Sequence, residues 1–251
     1  MKPLITVTTI VVSVILLGWL GLQIKPKPFL PYAEKTTELK TVPLPTDLPA
    51  PVERFYRQLY GDKIPVIETA VISGRGTMRL FHLTIPIRFR FTHEAGKNYR
   101  HDIDLAFFGV PLIKSYETFI NGKGWAKTPG GIDQGEGTDQ GSNVSLWAEA
   151  LNWFPAVLVT DDQVRWESVD DATALLLTPF GSGHEVFVVR FDPTSGLVKF
   201  VEAVKYRSAT HDKMLWINGT WFDEGKPWIH LDVEDMLYNV NVQDYIRAIK
   251  P

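Results

Sequence analysis

The sequence predicts a mainly β, α+β protein: a curved antiparallel sheet with one or two packed helices, preceded by a single transmembrane helix. Three observations carry this. An uncharged run occupies the N-terminus, hydrophobic alternation of period two fills most of the chain beyond residue 70, and turn residues recur at the spacing of antiparallel meanders. Composition agrees: of 251 residues 45% are hydrophobic and 22% charged, as in a folded chain, and eight Trp favour broad sheet faces.

Residues 4–22 are nineteen consecutive uncharged positions, thirteen of them Leu, Ile, Val or Trp. At a rise of about 1.5 Å per residue such a helix spans roughly 28 Å, the thickness of a bilayer core. A cleavable signal peptide has a shorter apolar region ending in a small-x-small site, whereas this one ends Gly18-Trp19-Leu20-Gly21-Leu22-Gln23. Residues 1–25 therefore read as an uncleaved anchor, with Trp19 at the interface. Lys2 stands before the span and Lys25 and Lys27 after it, so charge does not set its direction. A short tail followed by a long domain is the form of a signal anchor, which places the domain outside the cytoplasm. Residues 26–48 are a proline-rich linker, expected as a stiff spacer, and residues 49–251 form the β-rich domain.

Val52, Phe55, Tyr56 and Leu59 have helical spacing, with Gly61 as a stop signal. The period then becomes two. Ile72, Gly74, Gly76, Met78 and Leu80 alternate with polar neighbours, as do Leu83, Ile85, Ile87, Phe89 and Phe91. A turn at Phe81-His82 puts both sets on one face of a hairpin and sets Arg75 opposite Arg88. Further strands are expected at 102–108, 113–120, 164–169, 174–178, 185–191, 197–206 and 213–222, with turns at Asn121-Gly122, Asp170-Asp171 and 192–196. Residues 128–142 carry five Gly and the acids Asp133, Glu136 and Asp139, and read as a mobile loop. A helix follows at 144–154, started by Asn143 or Ser145 and stopped by Pro155.

Several chemistries are excluded or disfavoured. With no Cys there is no thiol nucleophile, disulfide or thiolate metal site. A net charge of −3 gives no basic field for nucleic acid. Gly74-Arg75-Gly76 lacks the rest of a dinucleotide fingerprint, and Phe180-Gly181-Ser182-Gly183-His184 lacks the spacing of a nucleophile elbow. No cofactor is expected.

Candidate sites are few. His230, Asp232 and Glu234 would share one face of a strand and form a weak metal site, and Asp133, Glu136 and Asp139 supply oxygen ligands without the spacing of a calcium loop. His82, His93, His101, His184 and His211 are scattered and read as surface or satisfied core groups, with His93 at the end of an apolar-face series. Arg75, Arg79, Arg88 and Arg90 share the polar face of the hairpin, which calls for neighbouring carboxylates or an anionic ligand. The aromatic helix around Trp147, Trp153 and Phe154 is core-like in pattern, and a helix over a curved sheet can also line an apolar cavity.

The strings SLWAEALNWFPAVLVTDDQVRWESVDDATALLL (145–177) and VFVVRFDPTSGLVKFVEAVKYRS (186–208) resemble a family of uncharacterised bacterial proteins with an N-terminal hydrophobic segment and one β-rich domain. LPAPVERFYRQL (48–59) and YETFINGKG (116–124) fit the same pattern. That resemblance implies no activity and no catalytic residues. More loosely, FDPTSGLV (191–198) followed by a long strand is similar to lipoprotein-carrier folds, in which a curved half-barrel sheet wraps an apolar cavity plugged by helices.

The reading expected from sequence is a membrane-anchored extracytoplasmic domain that binds an apolar or amphipathic, lipid-like ligand between sheet and helix, without catalysis. Trp147, Leu151 and Phe154 would line the site, and Arg75, Arg88 and Arg90 would meet a head group. The alternatives are a structural or interaction module of the cell envelope, and a metal-assisted hydrolase using His230, Asp232 and Glu234. The expected partners are the membrane and a lipid or lipoprotein ligand, with no nucleic acid.

Overall fold

The structure is a computed structural model and describes residues 2–36, 38–80, 83–210, 212–217, 220–221 and 228–248. Helix α1 (Lys2–Gln23) is followed by β1 (Thr41–Pro43), α2 (Ala50–Tyr60) and β2 (Lys63–Pro65), with β1 and β2 paired. The next strands form one antiparallel run: β3 (Thr69–Leu80), β4 (Leu83–Glu94), β5 (Asn98–Phe107), β6 (Val110–Ile120), β7 (Lys123–Thr128) and β8 (Gly131–Gln134). Helices α3 (Glu136–Trp153) and α4 (Val157–Thr160) lead to a second run, β9 (Arg165–Asp170), β10 (Thr173–Phe180), β11 (Gly183–Phe191), β12 (Val198–Tyr206), β13 (Lys213–Ile217) and β14 (Thr220–Trp221). Strand β15 (Ile229–Tyr238) returns to the free edge of β3 and completes a seven-stranded sheet, and a one-turn helix α5 (Gln243–Ile246) follows.

The mainly β antiparallel reading holds, and so does the register of the first hairpin. Ile72 faces Phe91, Gly74 faces Phe89 and Arg75 faces Arg88, as alternation with one buried face requires. The expected turn at Phe81-His82 lies outside the described residues, although Leu80 and Leu83 are paired on either side of it. His211 also lies outside them. Asn121 and Gly122 both have positive φ, at 51° and 78°, and join β6 to β7 in the tight turn that their types favour.

The largest correction concerns residues 128–142. Instead of a mobile loop they form β8 and the first two turns of α3, which begins at Glu136, so neither Asn143 nor Ser145 is its cap. Glycine here signals close packing. A Cβ on Gly124 would stand 2.7 Å from the Thr138 carbonyl oxygen, and one on Gly141 would stand 2.6 Å from that of Tyr206. The helix can therefore sit between the sheets, touching β6, β7 and β8 on one side and β10 and β12 on the other. From Thr138 to Asn143 it is buried without a break, and Trp147, Ala150 and Phe154 continue the burial.

Its apolar residues join one core with Phe89 and Phe91 of the first sheet, Leu176 and Phe187 of the second, and Phe55 and Tyr56 of α2. The Tyr56 hydroxyl donates to the Pro155 carbonyl at 2.7 Å, tying α2 to the end of α3. Pro155 thus stops the helix and serves as an anchor.

Helix α1 contains one stretch, Ile5–Gln23, long and apolar enough to cross a membrane. Its last turn meets the β5–β6 hairpin, where the Phe108 amide donates to the Gly21 carbonyl at 2.9 Å. The proline-rich residues that follow make contacts with the outer face of the seven-stranded sheet. Phe29 packs under Arg88 and Arg90, the Tyr32 hydroxyl donates to Asn241 O at 2.7 Å, and Glu34 accepts from the Asn241 amide at 2.7 Å.

Candidate functional site

Strand alternation builds a polar cluster inside this core. The inward series of β4 runs Ile85, Ile87, Phe89, Phe91 and ends at His93, which is 0% exposed. On β5 the inward positions include Tyr99, paired with His93, and His101, paired with Phe91. On β6 they include Glu117, opposite His101, and Phe119, opposite Tyr99. Helix α3 lies across these strands, and Ser142, Ser145 and Glu149 follow one another at i, i+3 and i+7 along a single stripe. From the second sheet, Lys205 Nζ donates to Ser145 Oγ at 2.7 Å.

Glu149 is the hub. Its Oε2 lies 2.9 Å from His101 Nε2 and 3.2 Å from His93 Nε2. The His93 contact lacks hydrogen-bond alignment, and neither ring nitrogen of this buried side chain has a hydrogen-bond partner. Glu117 stands behind His101, with Oε2 4.0 Å from Nδ1, and is itself held by the hydroxyls of Tyr99 and Ser142. The His101 ring is clamped between those of Phe91 and Tyr99, at centroid separations of 4.0 and 4.1 Å.

Charge within the cluster follows from burial and pairing. Burial pushes the Glu149 carboxyl up, but the charge and hydrogen bond of His101, with the close contact of His93, outweigh it and bring the pKa down to about 2. Burial pushes His101 down, and Glu149 and Glu117 more than reverse this, so His101 is raised. For His93 burial wins and the imidazole is lowered toward its neutral form. Burial also lowers the Lys205 ammonium, against the pull of Glu117 and Glu149.

A second feature lies beside the first turns of α3. A cleft of about 670 Å³ is lined by apolar Phe119, Leu146, Trp147 and Phe180 and by polar Lys123 and Asn143, among others. The buried Trp147 Nε1 and Asn143 Oδ1 have no hydrogen-bond partner.

Of the residues expected to line a ligand site, only Trp147 borders this cleft, while Leu151 and Phe154 sit behind it in the core. Arg75, Arg88 and Arg90 lie away from this cleft. Because β3 and β4 alternate, they point to the opposite face from the helix, where Arg75 Nε meets Glu234 Oε1 at 2.6 Å and Arg88 meets Asp104 Oδ2 at 2.8 Å. Arg90 donates to the Leu30 carbonyl and stands over the Phe29 ring. The residues of the expected metal trio have different partners. A bulge between Val233 and Asp235 breaks the alternation of β15 at Glu234. As a result His230 and Asp232 pair with each other while Glu234 pairs with Arg75. In the acidic segment, Asp139 accepts from Gly124 N and Lys123 Nζ, and Asp133 accepts from Ala209 N. Asp133 and Asp139 are thus spent on protein donors, while Glu136 borders the cleft.

His93, His101 and Glu149 were not singled out as a site from sequence. They are 8 and 48 residues apart along the chain, and only strand register and the helix crossing unite them. The one signal was His93 occupying an inward position at the end of an apolar series.

The fold and site define a two-sheet antiparallel domain wrapped around a buried helix, behind an N-terminal apolar helix. The chain belongs to a family of unknown function, DUF6544, whose profile matches residues 38–221. A search of curated proteins finds no match. Among solved structures the chain is similar to a DUF1329 family protein from Desulfovibrio piger ATCC 29098, at 13% identity and TM-score 0.32, covering 78% of this chain and 94% of that one. It is also similar to a domain from Vibrio parahaemolyticus described as an outer membrane lipoprotein-sorting protein, at 9% identity and TM-score 0.31, covering 78% and 92%. Both scores lie below the level at which two folds are the same.

Proposed function

We propose that this is a single-pass membrane protein whose domain stands outside the cytoplasm and takes up an amphipathic, lipid-like ligand in the cleft beside α3. Residues 1–25 serve as the anchor, residues 26–48 as the linker and residues 49–251 as the binding domain. The observation that carries the reading is the lining of the cleft. Phe119, Leu146, Trp147 and Phe180 offer an apolar wall, while the buried Trp147 Nε1 and Asn143 Oδ1 lack partners. Each such orphan costs about 1–3 kcal/mol, a cost that a ligand with a polar group beside an apolar chain relieves. Leu151 and Phe154 belong to the same core as Trp147, behind the cleft.

The test is uptake of a fluorescent fatty acid and a fluorescent lysophospholipid by delipidated full-length protein in detergent. Saturable uptake that weakens in Trp147→Phe, which keeps an aromatic ring and removes the N–H, supports the reading. Absence of uptake by the folded wild-type protein overturns it.

A further inference from the structure

We infer that His93, His101 and Glu149 form a binding site for one first-row divalent metal ion, of the zinc or iron class, inside the β-sheet core. Their three candidate ligand atoms all lie within 4.8 Å of one another, and no other such group of His and acidic residues occurs among the described residues. Around a zinc ion with bonds of about 2.1 Å, tetrahedral ligands stand roughly 3.4 Å apart. The contacts of Glu149 Oε2 with His101 Nε2 and His93 Nε2, at 2.9 and 3.2 Å, are somewhat shorter, so a bound ion would take the place of these direct contacts and spread the three atoms slightly. Two imidazoles and one carboxylate are the donor set that borderline divalent metals prefer over calcium or magnesium.

A buried salt bridge by itself does not account for the arrangement. A structural Glu–His pair needs one imidazole, and His101 supplies it. His93 is completely buried, its Nδ1 has no partner and its Nε2 meets Glu149 Oε2 at 3.2 Å without hydrogen-bond alignment, an arrangement that costs about 1–3 kcal/mol unless something accepts the lone pair. A cation between Nε2 and Glu149 would do so.

The surroundings also match what ligands to a metal require. A coordinating histidine usually turns its second ring nitrogen toward a carboxylate, which fixes the tautomer and ring orientation. Glu117 Oε2 stands 4.0 Å from His101 Nδ1, and the hydroxyls of Tyr99 and Ser142 hold that carboxylate in place. Phe91 and Tyr99 clamp the ring from both sides, and the Glu149 side chain is 17% exposed, which leaves an approach from solvent. Three protein ligands leave a fourth position open for water or another small ligand.

The experiment is a cobalt(II) titration of full-length protein in detergent after chelator treatment, read by visible absorption, with zinc as competitor and thermal melting as a second readout. One equivalent of cobalt is expected to bind, to develop ligand-field bands of imidazole and carboxylate coordination, to raise the melting temperature and to be displaced by zinc. The isosteric Glu149→Gln and the variants His93→Gln and His101→Gln should each abolish stoichiometric binding. Glu117→Gln should weaken it by about 10–100-fold, as expected for loss of a partner to a ligating histidine. Failure of folded wild-type protein to bind cobalt or zinc stoichiometrically overturns the inference. Binding that survives Glu149→Gln and His101→Gln with an unchanged spectrum also overturns it, since the ion would then sit elsewhere. Because the wild-type titration decides by itself, a variant that misfolds leaves the test intact. Lipid uptake is measured separately at the cleft, so either proposal can fail while the other stands.

Discussion

Gly141 on α3 and Tyr206 on β12 are in backbone contact: a Cβ at position 141 would stand 2.6 Å from the Tyr206 carbonyl oxygen. Gly141→Ala should therefore destabilise the protein. Alanine raises helix propensity by about 1 kcal/mol, but overpacking against an immobile backbone atom costs about 1–3 kcal/mol, and the clash wins. Urea denaturation of the two proteins checks the sign. A more stable variant would show that the helix can withdraw from β12.

Asp139 joins α3 to the β6–β7 turn by accepting from the Gly124 amide at 2.7 Å and from Lys123 Nζ at 2.8 Å. Asp139→Ala leaves the buried Gly124 N–H without an acceptor, at a cost of about 1–3 kcal/mol. Lys123→Ala removes only an exposed partner and should cost under about 1 kcal/mol. Equal losses in the two variants would assign the effect to the ion pair and sink this account.

Alkaline stability follows from the buried and half-buried tyrosines, Tyr60 and Tyr245 among them. Burial, assisted by Tyr238, pushes Tyr60 up to about 12, and burial, assisted by the charge of Asp102, pushes Tyr245 up to about 12. A phenol raised above its ordinary value of 10 contributes stability that is fully present below pH 10 and is lost as pH rises toward 12. Melting temperature should thus fall across pH 10 to 12, and Tyr245→Phe should flatten part of that fall. An unchanged slope in the variant would exclude Tyr245 as a source.

Phe29 lies beneath two guanidinium groups, with Arg88 Cζ 4.3 Å and Arg90 Cζ 5.1 Å from its ring centroid. Each such pair contributes about 0.5–1 kcal/mol at a partly exposed site. Phe29→Ala is expected to release residues 25–36 from the sheet and speed their proteolysis, with little change in the melting temperature of the domain. Unchanged cleavage would show that the Tyr32 and Glu34 contacts suffice.

Much of the architecture was legible because it depends on short-range periodicity. Alternation in β3 and β4 specified both strands and their register, including the Arg75–Arg88 pairing, since a slip by one residue would turn Ile72, Phe89 and Phe91 outward. The spacing of Val52, Phe55 and Tyr56, with Gly61 as a stop, marked α2. The first half of α3 was illegible for a physical reason. Glycine lowers helix propensity and reads locally as a loop, whereas here Gly141 is needed to let two backbones meet, a relation visible only once β12 is in place.

The sequence by itself determined the apolar N-terminal helix, the antiparallel class of the sheets and most of the strand positions, because each depends on neighbours a few residues apart. Only the tertiary structure decided which polar groups share a site. His93, His101 and Glu149 sit on two strands and a helix, and the crossing of α3 over the seven-stranded sheet converts three isolated positions into one buried cluster. Strand alternation puts Arg75, Arg88 and Arg90 on the opposite face of that sheet, where they meet Glu234, Asp104 and Phe29. Strand parity sets which way a side chain points, but what it meets there depends on the packing of the layers.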